Sequence, residues 1–134
     1  MMNKQHHILS VEDNPNDVML MKRVFEKNTP DHKVHFTPSS DEALDYLASK
    51  YQEENLPNLI LLDIKLIRGN GLDLLHDLKK DSRYQHIPVV MLSSSDREDD
   101  KQKAKAYGCD DYVEKPRTYL KLKEELPKIV DKWS

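Results

Sequence analysis

The chain has 134 residues, which matches one domain when roughly 150 residues are allowed per domain. Hydrophobic residues make up 37% of it, which is enough for a single core. The 21 Lys and Arg residues are outnumbered by 24 Asp and Glu residues, and this net charge of -3 argues against direct binding of nucleic acid. No apolar run approaches the roughly 20 residues of a membrane span, and no signal peptide is recognisable. With only one cysteine and no zinc-site spacing, the composition predicts a cytoplasmic protein without a membrane association.

Five short apolar segments have the length of buried strands. They cover residues 8–11, 34–36, 59–62, 87–92 and 112–113. The second segment alternates poorly between apolar and polar residues, which indicates a strand at the edge of a sheet.

Five helices are predicted between and after these strands, and in the first three the apolar residues are spaced three and four apart. They include residues 18–25, 43–51, 72–78, 96–107 and 117–133. The fourth has few apolar residues, so we expect it to pack shallowly. Pro127 lies inside the fifth and should kink or break it.

The strict alternation of apolar strands with helices predicts a parallel sheet covered on both faces. This is a doubly wound α/β fold, and for five strands the common order is the flavodoxin-like 2-1-3-4-5. In such a sheet ligands bind outside the carboxyl ends of the strands, where the first and third strands lie side by side.

Polar residues follow four of the predicted strands, and the fold brings them to one edge. They are Glu12 and Asp13 after the first strand, Asp63 after the third, Ser93 after the fourth and Lys115 after the fifth. Three clustered carboxylates repel one another unless a cation compensates them, and a ligand set of oxygens suits Mg²⁺. One Mg²⁺ and one lysine balance the three carboxylates, which leaves a neutralised cleft for a phosphoryl group. The Ser93 hydroxyl can donate to one of its oxygens.

Four segments around these residues resemble the receiver domain of two-component response regulators. They are residues 8–14 (ILSVEDN), 61–63 (LLD), 88–94 (PVVMLSS) and 108–116 (GCDDYVEKP), and the resemblance covers essentially the whole chain. It implies that Asp63 is the phosphoacceptor. It also implies that Glu12 and Asp13, with Asp63 and the backbone carbonyl of Lys65, hold Mg²⁺.

The same resemblance implies a conformational switch that responds to phosphorylation. Ser93 would be the switch hydroxyl, Tyr112 the switch aromatic residue and Lys115 the phosphate-binding lysine. Movement of Ser93 towards the phosphoryl group would make room for Tyr112 and change the surface of the fourth helix, fifth strand and fifth helix.

A narrower resemblance is to the small stand-alone receivers that partner bacterial phytochromes. It rests on residues 12–17 (EDNPND) and on a chain that stops after the fifth helix. Residues 1–134 would then be one receiver domain, with a core of about 6–131 and no output domain. A sensor histidine kinase of the phytochrome-like type would phosphorylate it, and it would signal through a protein partner that the sequence does not identify. The surface of helix 4, strand 5 and helix 5 is also implied as a homodimer interface.

Alternative readings remain open at single positions. Asp13 could serve only as a helix cap, Lys115 could be solvated, and Tyr112 could be a core residue as well as a switch. Ile67 and Arg68 stand where receivers usually carry Pro and Gly, which predicts an altered loop, although Gly71 keeps its expected place.

Two other functions compete with the receiver. An aspartyl phosphatase of the haloacid dehalogenase type needs a second acid two residues after its nucleophile, where this chain has Lys65. Turnover of an external substrate is therefore disfavoured, and the chain is predicted not to be an enzyme. An adaptor that has lost phosphorylation is supported only by the departures at Ile67 and Arg68.

Overall fold

The structure, a computed structural model, describes residues 6–28 and 31–133. Strands and helices alternate along the chain. The strands are β1 (His7–Val11), β2 (Lys33–Thr37), β3 (Leu59–Leu62), β4 (Val89–Ser93) and β5 (Asp111–Glu114). The helices are α1 (Pro15–Asn28), α2 (Ser40–Gln52), α3 (Gly71–Lys80), α4 (Glu98–Ala106) and α5 (Tyr119–Trp133).

The five strands form one parallel sheet in the order β2-β1-β3-β4-β5, which confirms the predicted topology. The prediction that the second strand lies at an edge is also correct. Val11 of β1 is in register with Leu62 of β3, so the residues that follow these two strands emerge side by side. The strand order thereby creates the edge at which the predicted polar residues meet.

Two apolar cores cover the two faces of the sheet. Successive residues of a strand point to opposite faces, and in β1 Ile8 packs with α1 and α5 whereas Leu9 packs with α2 and α3. The fourth helix buries only Ala104, which confirms its predicted shallow packing. No helix in the described ranges combines the length and the apolar character needed to cross a bilayer.

Pro127 was predicted to kink or break the fifth helix, and the predicted break is wrong, because α5 runs without interruption from Tyr119 to Trp133. Proline removes one backbone hydrogen bond from a helix. Here Leu126, Ile129 and Val130 are buried on either side of Pro127, and their packing against the sheet holds the helix together.

The fourth strand begins two residues later than predicted. Ile87 is buried, but its carbonyl accepts a hydrogen bond from Lys79 Nζ at 2.9 Å instead of entering the strand ladder. The strand ends at Ser93, which is therefore the last residue of β4 rather than the first residue beyond it.

Candidate functional site

Three carboxylates converge at the carboxyl ends of β1 and β3. One oxygen from each of Glu12, Asp13 and Asp63 lies within 4.8 Å of the others. Glu12 and Asp63 are buried, with 3% and 7% of their surface exposed, and Asp13 is half-buried. The backbone N–H of Asp63 donates to the carbonyl of Val11 at 3.1 Å, so the sheet itself sets the distance between the two acidic segments.

The cluster fits a hard divalent cation. All three side chains offer carboxylate oxygens, which Mg²⁺ prefers over nitrogen or sulfur ligands, and the half-buried Asp13 leaves room for the waters that Mg²⁺ retains. Lys65 is exposed and lies two residues after Asp63. Its carbonyl as a fourth protein ligand stays a prediction.

The ammonium of Lys115 contacts three carboxylates at once. It donates to Glu12 Oε1 at 2.6 Å, to Asp17 Oδ2 at 2.8 Å and to Asp63 Oδ2 at 3.0 Å. The backbone N–H of Lys115 donates to the carbonyl of Ser93 at 2.7 Å, which ties the residue to the end of β4. The alternative of a solvated Lys115 is therefore wrong, because only 11% of its side chain is exposed.

The ion cluster shifts two pKa values. Burial raises the pKa of Glu12 to about 7, while the hydrogen bond from Lys115 acts in the opposite direction. Burial opposes the charged form of Lys115, but hydrogen bonds to Asp17 and Glu12 raise its pKa above the usual value. The ammonium therefore stays protonated and remains a donor at neutral pH.

Asp17 was not among the site residues predicted from the sequence. It lies in the first turn of α1, and its own N–H donates to Asn14 Oδ1 at 3.2 Å. The available signal was its position, since Asp17 lies only four residues after Asp13, at the start of α1, and so stays near the same edge of the sheet. It adds a fourth carboxylate to a site for which three were predicted.

The predicted switch residues Ser93 and Tyr112 both contact Ser95, which lies in the loop between β4 and α4. Ser93 is buried, and its Oγ accepts from the N–H of Ser95 at 3.2 Å. The Tyr112 hydroxyl donates to the Ser95 carbonyl at 2.8 Å, while its ring packs against the core under α2 and α3, so Tyr112 has both a packing and a polar contact. The Ser95 hydroxyl in turn donates to Asp100 Oδ2 at 2.6 Å, in the first turn of α4. Ser95, which was also not predicted, thus joins the site to α4.

The loop after Asp63 folds back so that Gly71, at the start of α3, lies against the backbone of Asp63 and Ile64. Ile64 N–H donates to Asp63 Oδ1 at 2.7 Å, and Gly71 N–H donates to the Ile64 carbonyl at 2.7 Å. A Cβ at Gly71 would lie 1.9 Å from the Asp63 carbonyl oxygen, so only glycine fits there. Ile67 is 72% exposed, and the altered residues at 67 and 68 leave this close approach intact.

Comparison with known proteins gives relatives of similar length. Residues 8–127 match the family model described as the response regulator receiver domain. The probable methanogenesis regulatory protein FilR2 of Methanothrix harundinacea is 33% identical over 127 residues, which cover 94% of this chain and 82% of FilR2. Response regulator Rcp1 of Synechocystis sp. is 32% identical over 128 residues, which cover 94% of this chain and 87% of Rcp1.

Solved structures give the same assignment. The crystal structure of the phosphorylated cyanobacterial phytochrome response regulator RcpA superimposes with a TM-score of 0.89 at 31% identity, covering 97% of this chain and 94% of RcpA. The bacteriophytochrome response regulator RtBRR superimposes with a TM-score of 0.78 at 35% identity, covering 96% of this chain and 78% of RtBRR. With the family model matched over most of its length, the chain belongs to the response regulator receiver domains of two-component systems.

Proposed function

We propose that this chain accepts a phosphoryl group on Asp63 from the phosphohistidine of a sensor histidine kinase. The observation that carries the proposal is the Asp63 carboxylate, which faces the Lys115 ammonium inside a cluster of oxygen ligands. An Asp63 oxygen attacks phosphorus, a P–O bond forms, the P–N bond to the kinase imidazole breaks, and the imidazole leaves with the bonding electron pair. The chain turns over no external substrate in this scheme and acts by binding.

Charge balance explains how the site tolerates the incoming group. A bound divalent cation would supply positive charge next to the transferred oxygens. Glu12, Asp13 and Asp63 would hold it, and Lys115 would donate to a phosphoryl oxygen. Two relatives support this chemistry, because response regulator Rcp1 was solved in a Mn²⁺-bound form and RcpA was solved phosphorylated.

The kinase that fits best is of the phytochrome type. RcpA and RtBRR are phytochrome response regulators, and both cover nearly the whole of this chain at more than 30% identity. We therefore expect a phosphorylated phytochrome-type kinase to transfer its phosphoryl group to this chain faster than an unrelated sensor kinase does.

The direct test is intact-mass measurement after incubation with acetyl phosphate. We expect one phosphoryl group per chain with Mg²⁺ present and none after EDTA treatment. The same measurement with phosphorylated kinases of two types tests the partner. A chain that stays unlabelled by acetyl phosphate and by every kinase would contradict the proposal and favour a phosphorylation-independent adaptor.

The role of Asp13 is tested by removing Mg²⁺. A ligand present at roughly 100 times its dissociation constant stabilises a protein by about 2.7 kcal/mol, and we expect Mg²⁺ to raise the melting temperature of the wild type accordingly. The Asp13→Asn variant should lose most of this gain. Because it removes one of several repelling charges, it should be at least as stable as the wild type in EDTA. Asp45→Asn, on the exposed face of α2, is the control; a full Mg²⁺ response in Asp13→Asn would exclude Asp13 from the metal site.

We propose that output follows the contacts of Ser95. If the Ser93 hydroxyl turns to a phosphoryl oxygen, its hydrogen bond from the N–H of Ser95 is lost. Ser95 also accepts a hydrogen bond from the Tyr112 hydroxyl through its carbonyl and donates one to Asp100 through its hydroxyl, so a shift of Ser95 affects both residues. The first turn of α4 can then move at small cost, because that helix buries only Ala104. The surface formed by α4, β5 and α5 would thus differ between the two states, and it is the surface that we propose for the protein partner or for a homodimer.

Hydrogen exchange tests this output path. Beryllofluoride with Mg²⁺, as a phosphoryl mimic, should change amide exchange mainly within residues 93–126. Ser93→Ala should still take up one phosphoryl group but show a much smaller exchange change, because it lacks the hydroxyl that moves. Ser94→Ala, at the exposed neighbouring position, should respond as the wild type does. Exchange changes confined to α1 and α2, or a full response in Ser93→Ala, would overturn the path.

A further inference from the structure

We propose that Asp17 is a positioning residue that holds the Lys115 ammonium against Asp63, an inference that rests on the phosphoacceptor role proposed for Asp63. Asp17 belongs to α1 and Lys115 follows β5, so the contact joins two elements that are 98 residues apart in sequence. The 2.8 Å distance between Asp17 Oδ2 and Lys115 Nζ is that of a charge-assisted hydrogen bond.

A lysine side chain needs such restraint to be an effective donor. Its four-carbon stem has many rotamers, and holding it in one costs conformational entropy. An ammonium has three N–H donors, and here Glu12, Asp17 and Asp63 accept one each. The bonds to Glu12 and Asp17 therefore direct the third N–H at Asp63. A phosphoryl oxygen on Asp63 can take over that third donor while the other two bonds remain.

Asp17 is itself held by the start of α1. Asn14 Oδ1 accepts from the N–H groups of Asn16 at 2.9 Å and Asp17 at 3.2 Å, as an N-cap residue does. The N–H of Asn14 also donates to Glu12 Oε2 at 3.1 Å. Asn14 thus bonds both to the Glu12 carboxylate and to the backbone N–H of Asp17, so the two residues that restrain Lys115 are connected through it.

The negative charge of Asp17 by itself disfavours uptake of a phosphoryl group, so Asp17 must favour uptake by orienting Lys115. Glu12, Asp13, Asp17 and Asp63 carry four negative charges, and Lys115 with one divalent cation carries three positive charges, so the loaded site keeps a net charge of -1. This residual charge works against an arriving phosphoryl group. Solvent screens it, since 28% of the Asp17 side chain is exposed, compared with 2% for Glu12 and 9% for Asp63. We infer that the gain from orienting Lys115 outweighs this screened repulsion.

The test compares Asp17→Ala and Asp17→Asn with Glu26→Gln. Asp17→Ala removes both the charge and the acceptor, whereas Asp17→Asn removes the charge but keeps a carbonyl oxygen as acceptor. Glu26→Gln removes one negative charge from an exposed position of the same helix. Two quantities are measured. The first is the NMR signal of the ¹⁵N-labelled Lys115 ammonium in the metal-free protein, and the second is the rate of phosphoryl uptake from acetyl phosphate at saturating Mg²⁺.

We expect a slowly exchanging Lys115 ammonium signal in the wild type and in Glu26→Gln, and its loss through fast exchange in Asp17→Ala. Phosphoryl uptake should fall about tenfold in Asp17→Ala, less than the roughly hundredfold cost of a 1 Å misplacement, because Glu12 still restrains Lys115, and it should fall less in Asp17→Asn. An unchanged ammonium signal and uptake rate in Asp17→Ala would overturn the positioning role. Faster uptake would also overturn it, since Asp17 would then be withholding the ammonium from the phosphoryl group.

The two measurements separate this inference from the proposed function. If the wild type takes up no phosphoryl group, the proposed function fails. The ammonium signal still reports whether Asp17 holds Lys115, because it is recorded without phosphorylation. If the wild type is labelled and Asp17→Ala behaves like it in both measurements, only the role of Asp17 is wrong.

Discussion

The Asp63→Asn variant is expected to take up no phosphoryl group from acetyl phosphate or from a kinase. An amide is a far weaker nucleophile than a carboxylate, so the step that forms the P–O bond is lost rather than slowed slightly. The variant keeps the shape of the side chain and an oxygen that can accept from Lys115 or from Ile64 N–H, so we expect the fold to remain. Intact-mass measurement gives the labelled fraction, and thermal unfolding in EDTA reports whether the variant is folded.

A matched control removes a carboxylate outside the cluster. Asp45→Asn changes an exposed residue of α2 and should be labelled to the same extent as the wild type. Labelling of Asp63→Asn equal to that of Asp45→Asn would show that the phosphoryl group is carried by another residue, and the proposed acceptor would be wrong.

The Gly71→Ala variant is expected to lose about 3 kcal/mol of stability, which is at the upper end of the cost of forcing an extra carbon into a packed site. The added Cβ would lie 1.9 Å from the Asp63 carbonyl oxygen and 2.8 Å from the Ile64 Cα. Both contacts are with backbone, so no flexible side chain can yield. The start of α3 or the backbone of Asp63 must move, and either shift displaces the proposed acceptor from Lys115. We therefore expect slower phosphoryl uptake together with a lower midpoint of denaturant unfolding.

The Gly108→Ala variant is the control that distinguishes a general loss of folding stability from a displacement of Asp63. Gly108 follows α4 with φ +94, a conformation that costs a residue with a Cβ about 1 to 2 kcal/mol, and its nearest neighbour would be the Lys79 side chain at 3.5 Å. This variant should be destabilised but should take up phosphoryl groups at the wild-type rate under conditions where it is folded. If Gly71→Ala also kept the wild-type rate, the close approach of α3 would have no part in placing Asp63.

The candidate site was predictable where a residue directly follows a strand. Glu12, Asp13 and Asp63 follow adjacent parallel strands, so topology alone brings them together. Lys115 directly follows β5, and Ser93 ends β4 at the same edge. Asp17 was missed because its distance from Lys115 depends on where α1 begins and on the path of a long side chain. Ser95 was missed for a similar reason, since its role comes from contacts with Tyr112 and Asp100 on two other elements.

The amino-acid sequence by itself determined the order of strands and helices, the parallel sheet and the edge at which the polar residues meet. These depend on hydrophobic periodicity and on strand topology, which are read along the chain. Only the tertiary structure decided that α5 continues through Pro127, where buried neighbours on both sides offset a lost hydrogen bond. It also decided which carboxylates share the Lys115 ammonium and why Gly71 admits no side chain. Contacts of this kind are set by distances of a few ångströms between segments far apart in sequence, and no local pattern encodes them.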